Sequence, residues 1–349
     1  MTLPAVAGGS VTLIAGGFDY GGGDVTEAAA RPAMLADVAA AAGVGIATAS
    51  RALNESGYVS TATKERVREA ARQLGYRPNA VAKALRSART GVIGLLLPDL
   101  RNEYYSVSSN AIQRELAGLG LRLMVAAATT AAEERDALAS FVAQQVDGII
   151  HVPVDPAGEL PDIPIVQVNR TSHPGEVPAV VCDEEEGLRE LTALVLGGGP
   201  RHVALFVGGE EHSTTRSRIS GFRQALEGSA VASTVLTGEF SAEFGAEAAA
   251  RALAGGADAL IAASPRIAVG VVQTLQRDGV RVPADCQLAS YSDPEWFSLW
   301  QPGMTTLVPP LEEMGRLAVR RLRAILAGEE GGAELTVLPG EVIRRGSTR

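Results

Sequence analysis

The stretch LADVAAAAGVGIATASRALN, running from Leu35 to Asn54, sets the reading of the chain's first folded unit. Leu35, Val38, Ala39 and Ala42 fall on one face of a short helix, Leu35–Ala42. Gly43 supplies the left-handed C′ position that ends it, since a residue without Cβ adopts positive φ at little cost. After the Gly43-Val44-Gly45 turn a second short helix runs from Ile46 to about Leu53, and Gly45 is a tolerable N-cap. A third helix starts at Thr61 behind the N-cap Ser60, with Val67, Ala71 and Leu74 at i, i+4 and i+7. Two short helices across a tight glycine turn, buttressed by a third, make a helix-turn-helix. Its second helix then lies in a DNA major groove, where Ile46, Ala47 and Arg51 reach base edges. Arg51 suits a bidentate contact to guanine, Ile46 and Ala47 suit thymine methyls, and Thr48 and Ser50 suit phosphates. The competing reading is an alanine-rich helical hairpin that packs and binds nothing.

Outward from this head the composition changes twice. Residues 1–33 are rich in Gly, Ala and Thr and read as a disordered extension. Downstream, Tyr76-Arg-Pro-Asn-Ala-Val-Ala-Lys-Ala-Leu-Arg86 contains barely two helical turns, a length at which nucleation costs more than propagation returns. It carries Lys83 and Arg86 and an apolar Leu85 with no obvious core to join, which suits a conditional helix that wedges a minor groove. A solvated interdomain linker is the alternative. The expected units are thus a head at 34–78, a hinge helix and linker at 79–90, and a core at 91–349.

Charge follows the same division. The chain of 349 residues has a formal net charge of −9, which as a sum argues against nucleic acid. Residues 34–90 nevertheless hold nine Lys/Arg against four Asp/Glu, while residues 91–349 hold 21 against 33. The basic segment is the part suited to phosphate, and the acidic core is repelled by it.

Beyond Gly91, apolar strands alternate with amphipathic helices. Expected strands are 92–97, 121–126, 148–152, 165–168, 203–207, 235–237, 260–263 and 287–291, with helices such as Ser106–Leu119 and Ala132–Gln145 between them. This alternation predicts parallel sheets with helices on both faces, and the core's length predicts two similar lobes. Cys182 and Cys286 sit in no CxxC or Cys/His cluster and read as buried thiols in a reducing compartment. No apolar run approaches the ~18 residues of a membrane span, and the N-terminus lacks a secretory signal, so a cytoplasmic protein is expected. An enzyme is disfavoured. There is no GxGxxG or P-loop, no nucleophile elbow, and His151, His173, His202 and His212 show no metal spacing. No cofactor is expected. An exported solute-binding protein has no use for residues 34–90.

The chain from about Met34 to Arg349 resembles the LacI/GalR family of bacterial transcription regulators. The residues that carry the resemblance are Leu35 to Val44, Ala47 to Asn54, Leu74 to Ala82 and Ile93 to Asp99. Asp147–Ile150, Arg218–Phe222, Pro302–Leu307, Glu313–Gly315 and Ile343–Ser347 continue it in order. The resemblance implies a repressor that binds a palindromic double-stranded operator as a homodimer under the control of a small-molecule effector. It adds Asn54, Tyr76 and Asn79 to the DNA contacts and makes Asn79–Arg86 the hinge helix, with Leu85 its minor-groove lever. The chain stops soon after its Arg-Gly-Ser-Thr ending, which favours a dimer over the family's tetramers. The core is implied to be of periplasmic-binding-protein type, two doubly wound α/β lobes crossed three times by the chain. The first lobe then takes about 91–169 and 308–329, the second about 170–307 and 330–349.

In doubly wound lobes, ligands sit beyond the carboxyl ends of the strands. Asp99, Asn102, Tyr104 and Tyr105, which follow the first strand, are therefore candidates for the effector cleft. The resemblance adds Arg218, whose fork suits hydroxyl pairs or a carboxylate, and Phe240 as a stacking wall. It also points to Ser264, Ser292 and Asp293, although here the sequence departs from the family. Glu103 replaces a proline, Ser264-Pro265 replaces Asn-Asp, and Ser292 stands where an aspartate often binds sugar hydroxyls. Gly45 and Ala49 replace the usual Ser and Val of the recognition helix. The expected effector is sugar-like or nucleoside-like, with carbohydrate favoured. A purely dimerising core without an effector is the alternative.

Overall fold

The computed structural model describes residues 33–55, 57–76, 89–329 and 332–349. The chain divides into two compact units, Met1–Asn79 and Ala80–Arg349. In the first, helices α1 (Leu35–Ala41), α2 (Ile46–Asn54) and α3 (Thr61–Gln73) pack on one another. Gly43 has φ +65°, as its place after α1 demands, and the Ser60 hydroxyl accepts the Thr63 N–H at 3.3 Å to cap α3. The core of the head is small. Val38, Ala49, Ala52 and Val67 are fully buried, with Ala39, Ala70 and Ala71 beside them. Alanines at these positions let the three helix backbones approach closely while the opposite faces stay wet.

The second unit contains two six-stranded sheets. The first has the order β11 (Leu335–Leu338), β5 (Ala179–Cys182), β4 (Ile165–Val168), β3 (Gly148–His151), β1 (Val92–Leu97), β2 (Arg122–Ala127), and every pairing is parallel. The second has the order β12 (Glu341–Ile343), β10 (Thr305–Val308), β9 (Gln287–Tyr291), β8 (Ala259–Ala262), β6 (His202–Val207), β7 (Ala232–Thr237). Only β12 runs antiparallel in it, against β10. A central strand buried on both faces, such as β8, reads as a continuous apolar run, as parallel strands between helical layers commonly do.

The expected lobe boundaries need correction. The chain does not leave the first sheet at residue 169. It turns and returns as β5, pairing Gln167 with Ala179 and Val168 with Val180. It crosses only at Asp183, whose side chain caps α6 (Glu184–Gly197) by accepting the Glu186 N–H at 3.1 Å. Near the C-terminus, β11 likewise belongs to the first sheet, paired with β5, so residues 332–338 do not lie in the second lobe. The chain still crosses three times, at 183, after β10 and between β11 and β12.

Two further helices set the geometry of the cleft. Helix α4 (Glu103–Gly118) follows β1, and α7 (Ser213–Ala225) follows β6 and packs along α6. A Cβ at Gly221 of α7 would lie 2.0 Å from the Glu185 carbonyl oxygen, so only glycine permits this approach. The contact brings the N-terminal turn of α6 against the middle of α7.

Candidate functional site

On the head, the outer face of α2 carries the exposed Ile46, Ala47, Arg51 and Asn54 and the half-buried Ser50, while Ala49 and Ala52 point inward. This follows from helical spacing, since positions 46, 47, 50, 51 and 54 cover one side of a 3.6-residue turn. Ile46, a large apolar side chain at the first position, is 56% exposed with no core to join. The Arg51 Nε donates to the Ala47 carbonyl at 3.2 Å, and Asn54 Nδ2 donates to the Ser50 carbonyl at 2.9 Å. Thr48 lies half-buried on the flank of the helix. Tyr76 packs half-buried against the core of the head, and its N–H donates to the Ala71 carbonyl at 2.9 Å, so part of its role is structural. Asn79, Lys83, Leu85 and Arg86 lie outside the described residues.

In the second unit, a cleft with a volume of about 70 Å³ opens at the carboxyl ends of both sheets. Asp99, Asn102, Tyr104, Tyr105, Arg218, Phe240 and Ser264 all line it, together with Pro98, Asn169, Arg170, Thr214, Ala263, Pro265 and Tyr291. Three helix N-termini meet here, those of α4, α7 and α9 (Pro265–Arg277). Asn102 caps α4 by accepting the Tyr104 N–H at 3.1 Å, and Ser264 caps α9 by accepting the Arg266 N–H at 3.2 Å. Helix α7 begins at His212, which provides no side-chain cap.

The floor of the cleft is an ion pair inside an aromatic cage. Arg218 and Glu184 are each 4% exposed. Arg218 Nε donates to Glu184 Oε2 at 2.7 Å and Nη2 to Oε1 at 3.1 Å, while Nη1 donates to the Ala263 carbonyl at 2.8 Å. The Tyr291 hydroxyl donates to Glu184 Oε1 at 2.6 Å, and the Arg218 guanidinium carbon lies 3.8 Å from the Tyr291 ring centroid. Tyr104 stacks on Tyr291 at 6.1 Å and donates its hydroxyl to Asn169 Oδ1 at 2.6 Å. Burial, then the Glu184 carboxylate, push both tyrosine hydroxyls well above their ordinary pKa, so they remain neutral donors. Burial alone would lower the Arg218 pKa, but Glu184 overrides it and holds the guanidinium charged. At the rim, burial pushes the Asp99 carboxyl up, and hydrogen bonds from Arg101 outweigh it and hold it below the usual range.

Two of the anticipated effector contacts do not reach this cleft. Ser292 and Asp293 line a separate depression with Glu103, Val107 and Pro309. Ser292 turns away at φ +68°, its N–H donating to the Leu307 carbonyl at 2.7 Å. Asp293 is held at 2.7 Å by both Nη atoms of Arg345. The sequence reading missed Glu184, Asn169 and Arg170. Glu184 opens a run of three glutamates, which reads as an exposed acidic first turn. Asn169-Arg170 stands at the expected lobe crossing, a position that could have marked both residues.

A helix-turn-helix head with an exposed second helix, joined to a two-sheet α/β unit with a polar cleft, defines a DNA-binding transcriptional regulator rather than an enzyme. Residues 34–79 match the family described as bacterial regulatory proteins, lacI family, and residues 192–348 match the periplasmic binding protein-like domain. The HTH-type transcriptional regulator pepR1 of Lactobacillus delbrueckii subsp. lactis is 30% identical over 325 residues, covering 89% of this chain and 96% of the relative. A structure described as a LacI-family transcription regulation repressor from Corynebacterium glutamicum is 41% identical, with a TM-score of 0.69 over 74% of this chain and 99% of its own. The lac repressor dimer bound to operator and the anti-inducer ONPF is 26% identical, with a TM-score of 0.79 over 91% of this chain and 99% of its own. The chain belongs to the LacI family.

Proposed function

We propose that the protein is a transcriptional repressor that acts in the cytoplasm as a homodimer on a palindromic operator, and whose operator affinity is set by a small molecule bound in the cleft. The observation that carries this reading is that the cleft wall comes from both lobes. Asn102, Tyr104 and Arg170 come from segments of the first sheet's lobe, and Thr214, Arg218 and Phe240 from the second's. A ligand touching both sides stabilises one relative position of the lobes, which is the differential affinity that any population shift requires. Arg218 has already spent its charge on Glu184, so it serves a hydroxyl better than a carboxylate, and Phe240 offers a ring face. These features support a hydroxylated, sugar-like or nucleoside-like effector.

In this mechanism the first lobes of the two protomers set the distance between the hinge segments, residues 79–90. When the hinges meet they form helices, insert Leu85 and lock both heads on DNA. When they part, binding falls to its electrostatic background. The test is selection of binding sites by the whole chain from random duplexes. Enrichment of a palindrome with two chains per duplex supports the reading, and enrichment of no sequence overturns it.

A further inference from the structure

Arg170 is a buried cation without a counter-charge. It is 5% exposed and lines the cleft, yet among the described residues no carboxylate lies within ion-pair distance. Its Nη1 donates to the Pro153 carbonyl at 3.2 Å, its guanidinium sits 5.4 Å from the Phe240 ring centroid, and its buried Nε has no hydrogen-bond partner. A carbonyl and a ring face compensate only part of the cost of burying a charge. The neighbouring acids are engaged elsewhere, Glu184 with Arg218 and Asp99 with Arg101.

The surroundings add positive potential. The Thr171 N–H donates to Ser213 Oγ at 3.1 Å, which sets Arg170 beside the first turn of α7. That turn has no side-chain cap, and its Thr214 faces the cleft. Free N–H groups and the helix dipole at such a terminus favour an anion. Arg170 is held firmly there. The Glu134 carboxylate accepts the backbone N–H groups of Val154 at 2.9 Å and Asp155 at 2.6 Å, pinning the turn that presents the Pro153 carbonyl.

We propose that the cleft is built for an anionic effector, a small hydroxylated molecule whose phosphate or carboxylate group is held by Arg170 and the first turn of α7. This rests on the reading of the cleft as the effector site. Arg218 and Asn102 then address hydroxyls, and Arg170 completes its charge balance only when the ligand is bound.

The test uses the whole chain, with inorganic phosphate against chloride at equal ionic strength, and with glucose, gluconate and glucose 6-phosphate as matched probes. Phosphate raises the melting temperature of the wild type, and the better of the two charged sugars binds about ten-fold or more tightly than glucose. Arg170→Met abolishes both differences and melts higher than the wild type without ligand, whereas Arg170→Lys keeps a weaker phosphate response. A phosphate response that is absent, or undiminished in Arg170→Met, overturns the proposal. If a neutral molecule controls operator binding equally in the wild type and Arg170→Met, the anionic effector falls and effector control stands. If phosphate binds through Arg170 but no small molecule changes operator affinity, the anion site stands and the regulatory reading falls.

Discussion

Glu184, in the first turn of α6, and Arg218, in the middle of α7, form a two-point ion pair at 2.7 and 3.1 Å that is closed to solvent. Removing one partner of such a pair strands a charge in a poorly solvated site, a loss of about 3–5 kcal/mol. Glu184→Gln and Arg218→Met should each lower unfolding stability on this scale in denaturant titrations. The double variant Glu184→Leu with Arg218→Met should recover much of the loss. Additive losses would show that the pair is not the unit of stability.

Gly221 makes that pair geometrically possible. Gly221→Ala places a methyl group 2.0 Å from the Glu185 carbonyl oxygen, and overpacking of this kind costs about 1–3 kcal/mol or more. Gly118→Ala, at an exposed helix end with nothing within 4 Å, should be neutral or slightly stabilising. Comparing the two melting temperatures isolates close packing from the general effect of removing a glycine.

The head separates folding from recognition. Arg51 is exposed, so Arg51→Ala should leave the melting temperature unchanged while weakening operator binding by about 1–3 kcal/mol and relaxing sequence choice at one position per half-site. Ala49 is fully buried, and Ala49→Leu should unfold the head before any binding is measured. Equal operator affinity for wild type and Arg51→Ala would remove Arg51 from the reading face.

His212 predicts a pH dependence with a definite sign. Burial, then the charge of Arg170, push its pKa down from 6.5 to about 4. Between these values the unfolded chain binds more protons than the folded one, so this contribution is complete above pH 6.5 and declines as pH falls towards 4. Glu134 and Asp285, whose folded pKa values are depressed, the latter to about 2, add their own losses only below about pH 4.5. His212→Gln should therefore flatten stability between pH 6.5 and 4.5, which denaturant midpoints at several pH values will show. An unchanged slope would mean that His212 titrates normally.

The parts of the molecule legible in its sequence are those where local chemistry and tertiary structure agree. The glycine at position 43, the serine cap at position 60 and the apolar spacing of α1–α3 each specify one local conformation, and the head follows. Strands β1, β4 and β9 were legible for the same reason. Strands β5, β10, β11 and β12 were not. Two of them, β5 and β11, carried the error in the lobe boundaries. In the cleft, the residues after β1 were legible from topology alone, since ligands gather at strand carboxyl ends. Glu184 and Arg170 were hidden because nothing local marks a charge as buried. Ser292 and Asp293 were carried over from the family pattern, and the φ of Ser292 and the grip of Arg345 on Asp293 turn them elsewhere.

The most direct test of effector control is the affinity of the whole chain for its selected operator, measured by fluorescence anisotropy with and without the small molecule that most raises its melting temperature. Coupling between cleft and hinge predicts at least a five-fold change in operator affinity, about 1 kcal/mol or more, and loss of that change in Phe240→Ala, which removes a cleft wall without touching the buried ion pair. Identical binding curves with and without a molecule that occupies the cleft would contradict it.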